Sequence, residues 1–162
     1  MAEAVIALGS NLGDRAGNLR AAVQALDALP QTAVLQCSGV YETAPVDCAP
    51  GDGDYLNAAV RLETALPPAL LLGACLGIEA SQGRQRPFRN APRTLDLDLI
   101  LYEGAAQTDP WLTVPHPRAA ARAFVLVPLW ELYPDGAAPG FPLPAVPADA
   151  ADGVRRTDLQ LR

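Results

Sequence analysis

Apolar and polar positions along the chain alternate in segments of two different periods. Residues 4 to 8 (AVIAL) form a short apolar run closed by Gly9, the pattern of a buried strand. Leu19, Val23, Leu26 and Leu29 then recur at spacings of four and three, which predicts an amphipathic helix with Asp14 as its N-cap and Pro30 as its stop. Val34 to Glu42 and Tyr55 to Thr64 are rich in strand formers. In the second, Leu56, Ala58, Val60 and Leu62 alternate with Tyr55, Asn57, Arg61 and Glu63. Pro67 and Pro68 suit a helix start, after which Leu71, Cys75, Ile78 and Gln82 fall along one side, with Gly73 and Gly77 weakening the helix. Leu95 to Leu101 is the strongest strand: a period of two places four leucines on one face and Asp96 and Asp98 on the other.

The resulting order, βαββαβ, is the ferredoxin-like α+β pattern, with two helices expected on one face of an antiparallel sheet. Residues 115 to 134 add short helical pieces, and the tail from Ala137, rich in Ala, Pro and Asp, carries no readable signal. A length of 162 residues and 50% apolar content suit one domain spanning the chain. Net charge is −6 and the isoelectric point lies near 4.6, which argues against a general nucleic-acid or membrane-surface binder. All 12 basic residues are arginine, so neither a P-loop lysine nor a Schiff-base lysine is possible. Cys37, Cys48 and Cys75 are odd in number and scattered, and His116 is the sole histidine, which argues against a disulfide framework and against a Cys/His zinc site. A soluble monomer in a reducing cytoplasm is expected: the N-terminus lacks the features of a signal peptide, and 18 consecutive apolar residues occur nowhere.

Candidate chemistry concentrates in one stretch. Asp96 and Asp98 sit about 6 to 7 Å apart on one strand, a repulsion that a hard divalent cation relieves, although a solvated sheet face can carry such a pair without any ligand. Arg84, Arg86, Arg89 and Arg93 precede them directly, in a chain that is acidic as a whole. Guanidinium groups beside a carboxylate pair suit a polyphosphate with its magnesium. Arg118 and Arg122 add further phosphate donors, and His116, between Pro115 and Pro117, reads as part of a rigid exposed turn. Alternation also places Tyr55 and Asn57 on the face of the aspartates, where an aromatic platform and an amide suit a planar heterocycle. Residues 43 to 54 and 84 to 94 are long connections of the kind that often bind ligands. The second carries four like charges and no apolar periodicity, and is expected to tighten onto a bound polyanion.

The runs ALGSNLGD (Ala7 to Asp14), YETAPV (Tyr41 to Val46), DYLNAAV (Asp54 to Val60), IEASQGRQR (Ile78 to Arg86), PRTLDLDLILY (Pro92 to Tyr102) and VPHPRAAARAFVLVPLWELYPD (Val114 to Asp135) together resemble the 6-hydroxymethyl-7,8-dihydropterin pyrophosphokinases of folate biosynthesis. The resemblance runs in order from about Val5 to Asp135 and leaves residues 137–162 outside it. It implies a ferredoxin-like fold and transfer of the pyrophosphoryl group of ATP to the pterin hydroxymethyl group, releasing AMP. By the same resemblance Asp96 and Asp98 hold two magnesium ions, and Arg84 and Arg93 neutralise the phosphates in the transition state. Arg86, Leu99, Thr113, His116 and Arg122 contact ATP. The pterin lies between Tyr55 and Phe124, with Asn57, Thr43, Pro45 and Val46 reading its hydrogen-bonding edge, and Asp98 is a candidate proton acceptor.

Three positions depart from many relatives. Ala91 stands where a glycine precedes Pro92 and Arg93, Asn90 lies near the place of a tryptophan with Phe88 as a possible substitute, and Trp111 occupies the place of a phosphate-contacting arginine. Two other classes compete with the pyrophosphokinase reading. A ferredoxin-like RNA-binding module would want a basic surface and an RNP1-like string, both absent here. A DxD nucleotidyltransferase would release pyrophosphate in place of AMP.

Overall fold

The computed structural model of the chain describes residues 1–44, 53–83 and 94–162. Strand β1 (Ala2–Ser10) leads into α1 (Arg15–Asp27), whose N-cap Asp14 accepts the Gly17 N–H at 3.0 Å, as the sequence predicts. Then come β2 (Thr32–Cys37), β3 (Tyr41–Thr43), β4 (Tyr55–Thr64), α2 (Pro68–Ser81) and β5 (Asp96–Tyr102). Pro68 opens α2 at a position whose N–H needs no intrahelical partner. Beyond β5 lie the small hairpin of β6 (Gln107–Thr108) and β7 (Thr113–Val114), then α3 (Ala123–Leu132). The tail adds β8 (Ala137–Ala138), β9 (Phe141–Pro142), α4 (Ala148–Ala151) and β10 (Arg155–Arg156).

Among the described residues, six strands form one antiparallel sheet in the order β5, β1, β4, β3, β10, with β2 also against β4. This is the expected ferredoxin-like order, with one difference. The stretch from Val34 to Glu42, read as a single strand, is two: β2 pairs with the second half of β4 and β3 with its start. At the break, Ser38 substitutes its hydroxyl for a backbone acceptor. Its Oγ takes the Ala59 N–H at 2.9 Å while its own N–H donates to the Ala59 carbonyl at 2.8 Å. The chain therefore bends without leaving β4 unpaired.

Helices α1 and α2 bury one sheet face, where Leu19, Leu26, Leu71, Cys75 and Ile78 pack on Ile6, Leu8, Val60, Leu62, Leu97 and Leu99. The two helices thus share one face, as expected, and the helical additions expected over residues 115 to 134 include α3. Its Val125, Leu129 and Leu132 pack with Val5, Ala59, Ile100 and Leu101 on the opposite face. A register shift between β1 and β5 makes this possible: Ile6 pairs with Leu99 but Val5 pairs with Leu101, so Ile100 is an extra residue. Strict alternation would put Leu101 with the other leucines. The bulge turns it, 1% exposed, toward α3 instead, and three leucines in place of four face α1 and α2.

The tail is structured: β10 pairs with β3, Thr157 donates to the Val40 carbonyl at 2.9 Å, and Leu161 is buried in the α1/α2 core. Helix α2 is weaker than its burial requires, because Gly73 and Gly77 lie in its interior while a Cβ at either would meet nothing within 4 Å. Gly73→Ala and Gly77→Ala are each expected to raise stability by about 0.5–1 kcal/mol by removing unfolded-state freedom, read as an increase in the urea midpoint at constant m-value. No gain at either position would mean that α2 is held by packing that the glycines themselves permit.

Candidate functional site

Because α3 covers only part of the second face, the end of the sheet near Gly9 is left to polar side chains. Pairing across β4, β1 and β5 aligns Asn57 with Gly9 and Gly9 with Asp96, and in the next row Ala59 with Ala7 and Ala7 with Asp98. Asn57 and Asp96 are thus two strands apart, about 10 Å, with small residues between them. A Cβ on Gly9 would sit 3.5 Å from Asn57 Oδ1 and 3.6 Å from the Tyr55 ring, so bare backbone keeps this floor open to a flat ligand. Asn57 is buried, and its Nδ2 donates to Thr43 Oγ1 at 2.7 Å, which fixes the amide plane. Tyr55 and Thr43 are directly paired residues on the same face.

The structure therefore brings Tyr55, Asn57, Asp96 and Asp98 together on one surface, as alternation predicts, and strand pairing adds Thr43. Phe124 sits in the first turn of α3 at the border of that surface, packed against the Val5 and Ile100 core, with the Arg122 guanidinium 5.6 Å from its ring centre. Leu99 is different: its side chain is 4% exposed in the α1/α2 core, so only its backbone faces a ligand. Thr113 opens β7, its hydroxyl donating to the Asp109 carbonyl at 3.4 Å. Arg84, Arg86, Arg93, Pro45 and Val46 lie outside the described residues, as do Phe88, Asn90, Ala91 and Cys48.

His116 is half-buried, not the exposed turn residue that its flanking prolines suggest. Its N–H donates to the Ile100 carbonyl at 2.7 Å, which docks the turn on the outer edge of β5 at the bulge. The Arg118 N–H donates to Nδ1 at 3.2 Å, so the neutral ring carries its hydrogen on Nε2. Burial, and then the charges of Arg122 and Arg118, hold its pKa below the ordinary value, against a smaller opposing pull from Asp96. The imidazole is accordingly an uncharged Nε2–H donor at neutral pH, beside two cations and one carboxylate.

Two residues that sequence reasoning passed over shape the same region. Glu79, on α2 but only 3% exposed, accepts the Leu97 N–H at 2.7 Å through Oε2, closing an otherwise open backbone donor on the edge strand. A glutamate next to Ile78 and four residues after Cys75, on the apolar side of α2, was the available signal. Asn18 donates from Nδ2 to the Thr94 carbonyl at 3.1 Å and the Leu12 carbonyl at 3.0 Å, tying the start of β5 to the β1–α1 turn, and nothing in its sequence context marks that role. Cys75 is excluded as a nucleophile: burial, reinforced by Glu79 and Asp98, pushes its thiol up to about 12.

Among the described residues no group of three or more His, Cys, Asp or Glu could hold a metal ion alone. Asp96 and Asp98, two oxygen donors on one half-buried strand face, instead suit magnesium, which takes one or two carboxylates and completes its shell with water and substrate phosphates.

The family described as "7,8-dihydro-6-hydroxymethylpterin-pyrophosphokinase (HPPK)" matches residues 5–134. A Methylorubrum extorquens protein named 2-amino-4-hydroxy-6-hydroxymethyldihydropteridine pyrophosphokinase is 47% identical over 138 residues, covering 83% of this chain and 85% of that one. A Pseudomonas aeruginosa protein of the same name is 43% identical over 131 residues, 80% of each chain. The crystal structure of wild-type Plasmodium falciparum HPPK-DHPS superposes with a TM-score of 0.60 at 14% identity, over 83% of this chain. This chain spans 40% of that longer one, and the likeness establishes the shared fold.

As the sole histidine, His116 gives a single assignable imidazole titration by NMR. Its midpoint in the free protein is expected below 6.5 and should rise when inorganic tripolyphosphate binds, since an anion favours the imidazolium. Because the folded-state value is depressed, His116 costs no stability above pH 6.5. Stability declines as pH falls from there through the folded value. A midpoint at or above 6.5, or one that tripolyphosphate leaves in place, would remove His116 from the anion site.

Proposed function

Because the chain belongs to the 7,8-dihydro-6-hydroxymethylpterin-pyrophosphokinase family, we propose that it transfers the pyrophosphoryl group of ATP to the hydroxymethyl oxygen of 6-hydroxymethyl-7,8-dihydropterin, releasing AMP, in tetrahydrofolate biosynthesis. One observation carries this reading beyond kinship. An amide at Asn57, bare backbone at Gly9 and carboxylates at Asp96 and Asp98 occupy neighbouring rows of one sheet face. A planar heterocycle over Gly9 would thereby reach the amide on one side while its reacting arm points to the carboxylates on the other.

Asn57, Thr43, Pro45 and Val46 read the hydrogen-bonding edge of the pterin, and Tyr55 and Phe124 hold its two faces. Arg84, Arg86, Arg93, Thr113, His116, Arg122 and the Leu99 backbone hold ATP. His116 donates from Nε2 to a phosphate oxygen without adding charge, while the arginines take up charge on the equatorial oxygens. Asp96 and Asp98 hold two magnesium ions, which when bound neutralise phosphate charge and acidify the attacking hydroxyl. The hydroxymethyl oxygen attacks the β-phosphorus in line as the bond from that phosphorus to the α,β-bridging oxygen breaks, and AMP leaves. In this reading Asp98 is the candidate acceptor of the hydroxyl proton. Small substrates, no nucleic acid and no membrane, and a cytoplasmic monomer complete the reading. No described helix is long and apolar enough to cross a membrane.

Incubation with the reduced pterin alcohol, ATP and magnesium should yield AMP. Release of pyrophosphate would indicate a nucleotidyltransferase, and unconsumed ATP a binding module. Asp98→Ala is expected to leave less than about a tenth of turnover, since a metal-positioning carboxylate is worth several kcal/mol, and to melt near the parent because Asp98 belongs to neither core. Asn57→Ala should weaken the pterin by about 1–3 kcal/mol through unpaired ring groups, with ATP affinity unchanged. Equal losses for both ligands would contradict the assignment of Asn57 to the pterin side.

A further inference from the structure

The family pattern ends at residue 134, yet the chain after it returns to the site side of the sheet. Strand β10 pairs with β3, Arg155 opposite Glu42 and Arg156 opposite Tyr41. Arg155 Nη2 reaches Glu42 Oε1 and Asp54 Oδ2, each at 3.2 Å. From the first turn of α1, Arg15 Nη1 reaches the same two residues, Glu42 Oε2 and the Asp54 backbone carbonyl, each at 2.9 Å. Glu42 and Asp54 flank the long connection between β3 and β4 and immediately precede Thr43 and Tyr55. Two arginines and two carboxylates therefore join the two ends of that connection across the sheet.

Alternation places this quartet away from the site. Glu42 points to the opposite face from Thr43, and Asp54 precedes a residue of the site face, so neither arginine is positioned to touch a heterocycle on that face. We infer that Arg155, on a segment outside the family pattern, is a positioning residue. With Arg15 it clamps the ends of β3 and β4 so that Thr43, Tyr55 and Asn57 are held in register for the pterin. The inference rests on the pterin reading above.

Arg156 shows why β10 stays in place without Arg155. On the other face its Nη1 donates to Glu131 Oε1 at 2.9 Å and to the Tyr41 hydroxyl at 3.1 Å. Tyr41 in turn donates to Glu131 at 2.6 Å. Thr157 adds both its N–H and its hydroxyl to the Val40 carbonyl. Arg155 can thus be removed from a docked strand. Its side chain is 62% exposed, so a single pair would contribute little, and the clamp depends on one guanidinium nitrogen, Nη2, bridging two carboxylates.

The test compares Arg155→Ala, Arg155→Lys, Asp54→Ala and the Arg155→Ala/Asp54→Ala double variant. Arg155→Ala should raise the pterin KM about three- to fivefold at saturating ATP, with kcat and the ATP KM within twofold of the parent. Arg155→Lys, which keeps the charge but not the reach and planar geometry of the guanidinium, should fall between. The double variant should be no worse than the poorer single one. Hydrogen exchange should quicken about three- to fivefold at residues 42–44 and 53–55, with β1 and β5 unchanged. An unchanged pterin KM with unchanged exchange, or equal losses for both substrates, overturns the inference. If the parent protein makes no AMP, the pterin reading fails, and exchange at residues 42–44 and 53–55 still decides whether the clamp exists.

Discussion

One sheet face is buried beneath two helices along β1, β4 and β5 and the other only in part, and the rest of the molecule follows from that difference. Helices α1 and α2 cover the first face along β1, β4 and β5, where the inward residues are apolar apart from Ser10 and Thr64, whose buried hydroxyls are hydrogen-bonded. Helix α3 is ten residues long and shields only the half of the second face around Val5, Ala59, Ile100 and Leu101. The remaining half borders water. Carboxylates at Asp96 and Asp98 can be placed there without the desolvation cost that either core would impose, while the buried Asn57 amide offsets that cost by donating to Thr43 Oγ1.

The bulge at Ile100 marks the boundary between the two halves. An extra residue turns Leu101 beneath α3, and the Ile100 carbonyl receives the His116 N–H, so the irregularity that ends the polar stretch also seats the turn bearing His116, Arg118 and Arg122. Bulges in strands commonly redirect side chains beside active sites. In this chain the bulge joins a strand that carries negative charge to a turn that carries positive charge. The acidic chain thereby forms a local surface on which both signs meet, a requirement for holding a polyphosphate together with its cation.

The C-terminal segment extends the same logic to the other edge of the sheet. Arg155 and Arg156 alternate across β10, so Arg155 engages Glu42 and Asp54 on one face while Arg156 engages Tyr41 and Glu131 on the other. Burial, followed by the neighbouring Glu131 carboxylate, pushes the Tyr41 hydroxyl up to about 12, so it remains a proton donor across the physiological range. A short strand with no apolar pattern is thereby fastened by charge and hydrogen bonding.

Period-two alternation in Tyr55 to Thr64 and Leu95 to Leu101 was sufficient to determine which residues share the polar face, because successive side chains of a strand must point to opposite sides. Helix spacing and the Asp14 cap determined α1, and the clustered arginines beside paired carboxylates indicated phosphate chemistry. Tertiary structure decided what local pattern does not encode. An extra residue such as Ile100 is defined only by the partner strand, so the fate of Leu101 was invisible in its own segment. The half-burial of His116 depends on docking against β5. The role of Arg155 depends on Glu42 and Asp54, more than a hundred residues earlier in the chain. Ion pairs between residues so distant in sequence leave no periodic trace, because the geometry that joins them is made by the sheet and not by the neighbouring chain.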